Sequence, residues 1–309
     1  MTYIVLLVGL GLIVLGADWL VDGASAIAKK AGVSQFVIGL TIVGFGTSCP
    51  ELVVSLTGAI QGNADIAVGN VVGSNIFNIL FILGVTALIK PIVMTEENRR
   101  KDIPITLGVS ILLVLCAIGG ALNRIEAALF MLVFAAYIYY CFKSGSGADV
   151  PKEDDDRPVN VFKSVCFVIL GLAGLVFGGD LFVDSATAVA RQLGVSDKFI
   201  AVTVLAGGTS LPELATCIVA AVKGRDALAL GNVLGSNVFN ILFILGVSGL
   251  VLPLSMSSMT GVDFTMLILS VLLLFFWAFT GKKCRLDRWE AILMLLCFAV
   301  YYVILFNRL

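Results

Sequence analysis

Apolar residues run along this chain in long continuous blocks rather than in the alternating pattern of half-buried strands. Ten such blocks can be marked, at 3–28, 33–60, 65–88, 103–121, 124–142, 161–190, 195–222, 227–250, 262–280 and 287–306. Each is long enough to cross a hydrocarbon layer of roughly 30 Å as a helix. The expected fold is all-α and polytopic, with ten transmembrane helices. A membrane barrel is disfavoured, because its strands would be short and alternating. Ala24-Ser25-Ala26 resembles a signal-peptidase site, but its segment has no cationic leader, and Asp-Trp-Leu-Val-Asp at 18–22 recurs as Asp-Leu-Phe-Val-Asp at 180–184. The first block is therefore kept as a helix.

The polar positions inside the blocks recur as well. Residues 32–88 align without a gap on 194–250, at a constant offset of 162. GTSCPEL at 46–52 meets GTSLPEL at 208–214, and GNVVGSNIFNILFILGV at 69–85 meets GNVLGSNVFNILFILGV at 231–247. NRIEA at 123–127 meets DRWEA at 287–291 with two residues inserted. The chain thus divides into a five-helix repeat at 1–142 and a second at 161–309. The small, acidic and proline residues between them, within 143–160, read as an exposed cytoplasmic linker. Its acidic run from Glu153 to Asp156 reads as solvated, with weak calcium sensing as the alternative.

Charge adds an orientation. Five helices is an odd number, so the second repeat must enter the membrane from the opposite face. With the N-terminus outside, the outer loops hold only Arg124, Arg191, Lys198 and Arg308, and the other sixteen of the twenty Lys and Arg face inward. Both termini are expected outside. Inverted repeats are the architecture of many secondary transporters, with the site near the midplane between the halves.

Composition narrows the chemistry. The residues are 59% hydrophobic and 13% charged, with mean hydropathy +1.06, so lipid is the expected solvent of most of the surface. Histidine is absent, which removes the usual zinc or copper ligand and the usual proton shuttle. The seven cysteines lack metal spacing and read as free thiols. With net charge −1 and no basic domain, no nucleic-acid partner is expected, and no soluble segment is large enough for a sensor domain.

Within the second block, Gly44, Gly46, Thr47, Ser48, Pro50 and Glu51 place hydroxyls and a carboxylate at membrane depth, and Thr209, Ser210, Pro212 and Glu213 repeat them. A charge there costs about 3 kcal/mol or more, so such residues face a cavity or a partner. Thr47 and Glu51 lie one helical turn apart. Pro50 lacks an N–H and crowds the carbonyl of Gly46, which loosens the helix. Freed carbonyls and carboxylates suit a hard cation, and calcium takes 6–8 oxygens. Asn70, Ser74 and Asn78 form a stripe at i, i+4, i+8, repeated by Asn232, Ser236 and Asn240. Gly69 with Gly73, and Gly231 with Gly235, let a neighbouring helix approach it. Any one of these polar groups alone would read as glue between helices. Their duplication alongside Glu51 and Glu213 favours a site. Two carboxylates balance one calcium ion or two sodium ions, so the two cargoes compete.

The remaining candidates read more simply. Asp18, Asp22, Asp180 and Asp184 read as interface-facing carboxylates, with a gate or vestibule as the alternative. Glu126 and Glu290 read as first-turn acids that complement a helix dipole. Cys49, opposite Leu211 in the other copy, reads as filler.

The two GTSxPEL motifs, each followed by GNVxGSNxFNI, resemble the paired alpha repeats of the calcium/cation antiporter superfamily, in its sodium/calcium exchanger branch. The resemblance covers essentially the whole chain. It implies a core of the second, third, seventh and eighth helices, with the first and sixth sliding across it. It implies calcium ligands at Glu51 and Glu213 and at the backbone oxygens of Thr47 and Thr209. Flanking sodium positions would use Ser48, Ser74, Ser210 and Ser236 with the carbonyls of Gly44 and Ala206, and Asn78 and Asn240 would take the remaining central positions. Many members carry Asp where this chain has Asn240. If the family's exchange of three sodium ions for one calcium holds, the sodium-loaded site carries net +1 and transport senses voltage.

The function expected is sodium/calcium antiport by alternating access, with calcium and sodium ions and the lipid bilayer as the only evident partners, no cofactor and no obligatory protein partner. The location expected is the plasma (inner) membrane of a prokaryote. Proton/calcium exchange and potassium-dependent sodium/calcium exchange are alternatives within the same fold. A channel would need a ring of acids about a symmetry axis, which two inverted copies do not make easily. A membrane-embedded enzyme would need a nucleophile, a His or a second acidic cluster at membrane depth to do the chemistry, and none is found there.

Overall fold

The computed structural model describes residues 2–144, 160–194, 206–257, 259–280 and 284–308. The expected linker falls almost wholly outside these residues, as do residues 195–205 of the seventh expected span. The described helices are α1 (Thr2–Ala31), α2 (Gln35–Thr47), α3 (Cys49–Ile60), α4 (Ala64–Ile89), α5 (Asn98–Ile118) and α6 (Arg124–Ser144). They continue with α7 (Val161–Gln192), the short α8 (Ala206–Gly208), α9 (Leu211–Val222), α10 (Asp226–Val251), α11 (Gly261–Thr280) and α12 (Arg288–Arg308).

The long apolar runs dictate the outcome: in lipid a backbone must satisfy its own polar groups, which a helix does within one segment. Among the described residues, eight helices are long and apolar enough to cross a membrane, and α2 with α3 forms a further pair bent by 49°. α9 is apolar but has only 12 residues. Large side chains such as Ile118, Ile125 and Phe162 stand exposed on the outer helices, as lipid-facing residues do. The protein is an all-helical polytopic membrane protein.

Burial separates core from periphery. The apolar window of α10 is 83% buried and that of α4 is 67% buried, against 22% for α6. α2 packs on α10 where glycine removes the side chain: a Cβ at Gly235 would lie 2.5 Å from the backbone of Leu40. Among the described residues a Cβ at Gly69 would meet only the Met259 side chain, at 3.6 Å, and one at Gly73 nothing within 4 Å; most of the sequence counterpart of α2, 197–209, lies outside them. Among the described residues α1 and α7 form the most extensive helix pair. A Cβ on Gly16 would lie 2.7 Å from the Gly171 carbonyl oxygen, and one on Gly171 equally close to that of Gly16. Gly9 and Gly178 meet in the same reciprocal way at 2.9 Å, so the two helices run antiparallel.

Two features depart from the expectation of plain helices. π-helical turns interrupt α2 at Gly39–Val43, α4 at Phe77–Ile82 and α10 at Asn240–Ile244. Short strands also link the halves. β1 (Ile92–Val93) pairs antiparallel with β4 (Arg285–Leu286), and β2 (Ala121–Leu122) with β3 (Leu254–Ser255). Beside them Arg288 donates to the carbonyls of Leu88 and Ile89, at 3.0 and 3.2 Å, and Arg124 donates to that of Val251 at 3.3 Å. Each arginine caps the last turn of a core helix from the other half. Glu126 and Glu290 are caps too: their carboxylates accept from the backbone N–H of Asn123 at 2.9 Å and of Asp287 at 2.7 Å.

Candidate functional site

The second expected span breaks at Ser48, whose φ of −86° and ψ of 9° end α2 before Pro50 opens α3. Ser210 repeats the break before α9, at φ −93° and ψ 10°. Proline explains the position: Pro50 and Pro212 have no N–H for the preceding turn but fit the first turn of a new helix. The break sets Glu51 and Glu213 in the first turns of α3 and α9, where the positive end of the helix dipole favours a carboxylate.

Both glutamates are fully buried. Each is held by the other half. Ser48 donates its hydroxyl to Glu213 Oε1 at 2.8 Å, and Ser210 donates to Glu51 Oε1 at 2.9 Å. Thr47 and Thr209 lie beside Glu213 and Glu51 respectively, and the Thr47 hydroxyl also donates to Asn232 Oδ1 at 3.1 Å. The backbone of each break is pinned from its own half. Asn70 donates to the Glu51 carbonyl at 3.0 Å, and Asn232 to the Glu213 carbonyl at 3.4 Å. Across the halves, Ser236 donates to the Gly44 carbonyl at 3.3 Å.

Asn75 and Asn237, which the sequence reading did not single out, tie α4 to α10. Each donates to the backbone carbonyl of the other, at 3.4 and 3.3 Å. Their side-chain oxygens accept the amides of Asn240 and Asn78, at 3.4 and 3.0 Å. This turns the amide oxygens of Asn78 and Asn240 away from those contacts. Glu51 Oε2, Glu213 Oε2, Asn78 Oδ1 and Asn240 Oδ1 are all buried without a hydrogen-bond donor. Acceptors left unpaired in a protein interior are costly, and oxygens are what a hard cation requires.

The expected residues are not all drawn into this set. Asn70 bonds to α3, whereas Asn78 turns to α10, so the stripe along α4 splits. Ser74 and Asn70 line a cavity of about 560 Å³ together with Asp263 and Tyr301. Ala206 opens α8.

A second cavity, of about 350 Å³, reaches the break from one side and is lined by Cys49, Pro50, Val53, Asp180, Asp184 and Thr209, among others. Asp180 and Asp184 therefore stand on a vestibule wall, and Cys49 borders it instead of filling the interior. Their counterparts, Asp18 and Asp22, are instead paired with Lys223, each at 2.7 Å. Partial burial works against the Lys223 ammonium, but the hydrogen bonds it donates to Asp18 and Asp22, with their negative charge, outweigh it and hold its pKa above the ordinary value. All seven cysteines are free.

Comparison with known proteins bears on this arrangement. The family described as sodium/calcium exchanger protein matches residues 1–143 and 163–307. The putative antiporter CaxA of Alkalimonas amylolytica is 39% identical, over 98% of each chain. The sodium/calcium exchanger MaX1 of Methanosarcina acetivorans is 35% identical, again over 98% of each. A solved structure of the sodium-calcium exchanger NCX_Mj superposes with a TM-score of 0.84 at 34% identity, covering 97% of this chain and 96% of that one. With the match extending over both halves and the fold in common, the chain belongs to the sodium/calcium exchanger branch of the calcium/cation antiporter superfamily.

Proposed function

We propose that the chain exchanges calcium for sodium across a membrane by alternating access, holding the cation near the midplane between Glu51 and Glu213. The observation that carries this reading is the crossed pair Ser48–Glu213 and Ser210–Glu51, around which four buried acceptor oxygens lack a donor. Each serine engages one oxygen of the opposite carboxylate and leaves the other available. Calcium takes both carboxylates, with backbone oxygens of Thr47 and Thr209 and the amide oxygens of Asn78 and Asn240 completing its shell. Sodium ions meet the same −2 charge and spread over Ser48, Ser74, Ser210 and Ser236 with the carbonyls of Gly44 and Ala206. One charge pair serving two cargoes makes their binding mutually exclusive, and exclusive binding couples the two gradients.

The architecture that fits is ten helices in two inverted five-helix repeats, 1–142 and 161–309, joined by a cytoplasmic linker at 143–160. The antiparallel run of α1 and α7, the first helices of the repeats, supports the inversion. The glycine-lined contact holds those two helices together, so that they move as one unit past the core. A cavity on the Asp180 side, with α1 packed along α9 on the other, fits one end state of the cycle. The bias of Lys and Arg favours both termini outside; in that orientation the end state is outward-facing, and a prokaryotic plasma membrane is the location that fits.

Calcium flux into proteoliposomes, with sodium, potassium and proton gradients imposed separately, tests this directly. An outwardly directed sodium gradient is expected to drive calcium uptake. Uptake that ignores sodium and follows a pH gradient would replace the reading with proton/calcium exchange.

A further inference from the structure

The two repeats place a carboxylate pair at the same station of their first helices, Asp18 and Asp22 on α1 and Asp180 and Asp184 on α7, yet treat the pairs differently. Lys223, just past the end of α9, reaches Asp18 Oδ1 and Asp22 Oδ1 at 2.7 Å each and also donates to the Asp18 carbonyl at 3.4 Å. The residue 162 positions earlier is Gln61, which carries no charge. Asp180 and Asp184 line the open cavity instead. Helix packing follows the charges: α1 lies along α9, whereas the related pair α3 and α7 barely meet.

The turn that carries Lys223 is itself anchored. Lys90 donates to the Ala221 carbonyl at 2.6 Å and pairs with Asp226 at 3.3 Å, and Asp226 Oδ2 accepts from the Val93 N–H at 3.2 Å. The equivalent turn of the first repeat, Gln61-Gly62-Asn63-Ala64, is uncharged.

We propose that Lys223 is a tethered cation that latches α1 onto α9, closing the cleft on its own face and biasing the duplicated fold toward the state open at Asp180 and Asp184. The ammonium occupies the acid pair that a transported cation would meet first on that face. Opening that cleft takes α1 away from α9, so Lys223 must release both carboxylates. No such release hinders the other cleft, because glutamine cannot form an ion pair. The inference rests on alternating access, but its readout is conformational and needs no flux.

The test uses the full chain with its native cysteines replaced and one reporter cysteine introduced at a time, labelled by a water-soluble thiol reagent in proteoliposomes. Val53→Cys reports the cleft on the Asp180 side, where Val53 is 63% exposed, and its counterpart Ala215→Cys reports the other. Lys223→Gln is expected to speed labelling at the Ala215 reporter about three- to tenfold and to slow it at the Val53 reporter. Gln61→Lys builds the missing latch against Asp180 and Asp184, and is expected to slow the Val53 reporter by a similar factor. Unchanged rates at both reporters in monodisperse Lys223→Gln protein would overturn the latch. If that variant does not stay monodisperse, Gln61→Lys decides alone, and an unslowed Val53 reporter rejects the proposal. Absence of sodium-driven calcium uptake by the wild type would count against the proposed function and leave the labelling result standing.

Discussion

Ser48 donates its hydroxyl to Glu213 across 2.8 Å, although the two are 165 residues apart in the chain. The relation returns with the halves exchanged, as Ser210 and Glu51 at 2.9 Å. A carboxylate buried in one repeat is thus positioned by the broken helix of the other, so neither repeat can assemble its half of the site alone.

Removing one such hydroxyl leaves a buried carboxylate oxygen without its donor. A hydrogen bond to a charged group contributes about 1.5–3 kcal/mol. Ser48→Ala and Ser210→Ala are each expected to raise the calcium concentration for half-maximal uptake by about tenfold or more, measured as sodium-driven flux. Equal affinity in both variants and wild type would show that the serines are helix glue only.

The α1–α7 contact depends on glycine at particular places. A Cβ at Gly16 meets backbone at 2.7 Å, whereas one at Gly179, on the same α7 surface as the cavity, meets nothing within 4 Å. Gly16→Val should lower stability by about 1–3 kcal/mol through overpacking, and should block exchange by fixing the helix pair. Gly179→Ala should leave thermal unfolding of the solubilised protein unchanged or slightly raised, since alanine favours a helix by up to about 1 kcal/mol.

Much of this was legible in the sequence, and what was not has a physical reason. An acid inside an apolar run demands a partner or a cavity, so Glu51 and Glu213 identify themselves, and the constant offset of 162 pairs each of them, and each neighbouring hydroxyl, with its copy. The break fell within the loosened Gly44–Pro50 stretch, but its placement at Ser48 depends on which turn opens, and composition does not decide that. Asn75 and Asn237 were overlooked because they stand off the i, i+4 stripe, though both follow the repeated Gly-Ser. The π turns at Phe77 and Asn240 shift the register of that stripe, and no residue pattern announced them. Strands of two residues are too short to show alternation. Lys223 escaped for the opposite reason: a search for repeats finds sameness, and the latch is a difference between the copies.

If three sodium ions exchange for one calcium, Asn240 decides which half-cycle carries charge. With only the two glutamates ionised, the sodium-loaded site would then carry +1 and the calcium-loaded site would be neutral, so voltage would act on the sodium-loaded step. One elementary charge crossing 100 mV is worth about 2.3 kcal/mol. Asn240→Asp is expected to remain active and to move the voltage dependence to the calcium-loaded step. Flux at imposed membrane potentials, with sodium or calcium in turn made limiting, distinguishes the two. The wild type should respond to voltage when the sodium limb limits, and the Asp variant when the calcium limb does.

The central claim is that Glu51 and Glu213 together hold the transported cation. Calcium uptake into proteoliposomes under an outward sodium gradient, compared among wild type, Glu51→Gln and Glu213→Gln, measures it most directly. Glutamine keeps the size and removes the charge, so each variant is expected to fold and to lose calcium transport. Sustained sodium-driven uptake by Glu213→Gln would contradict the account.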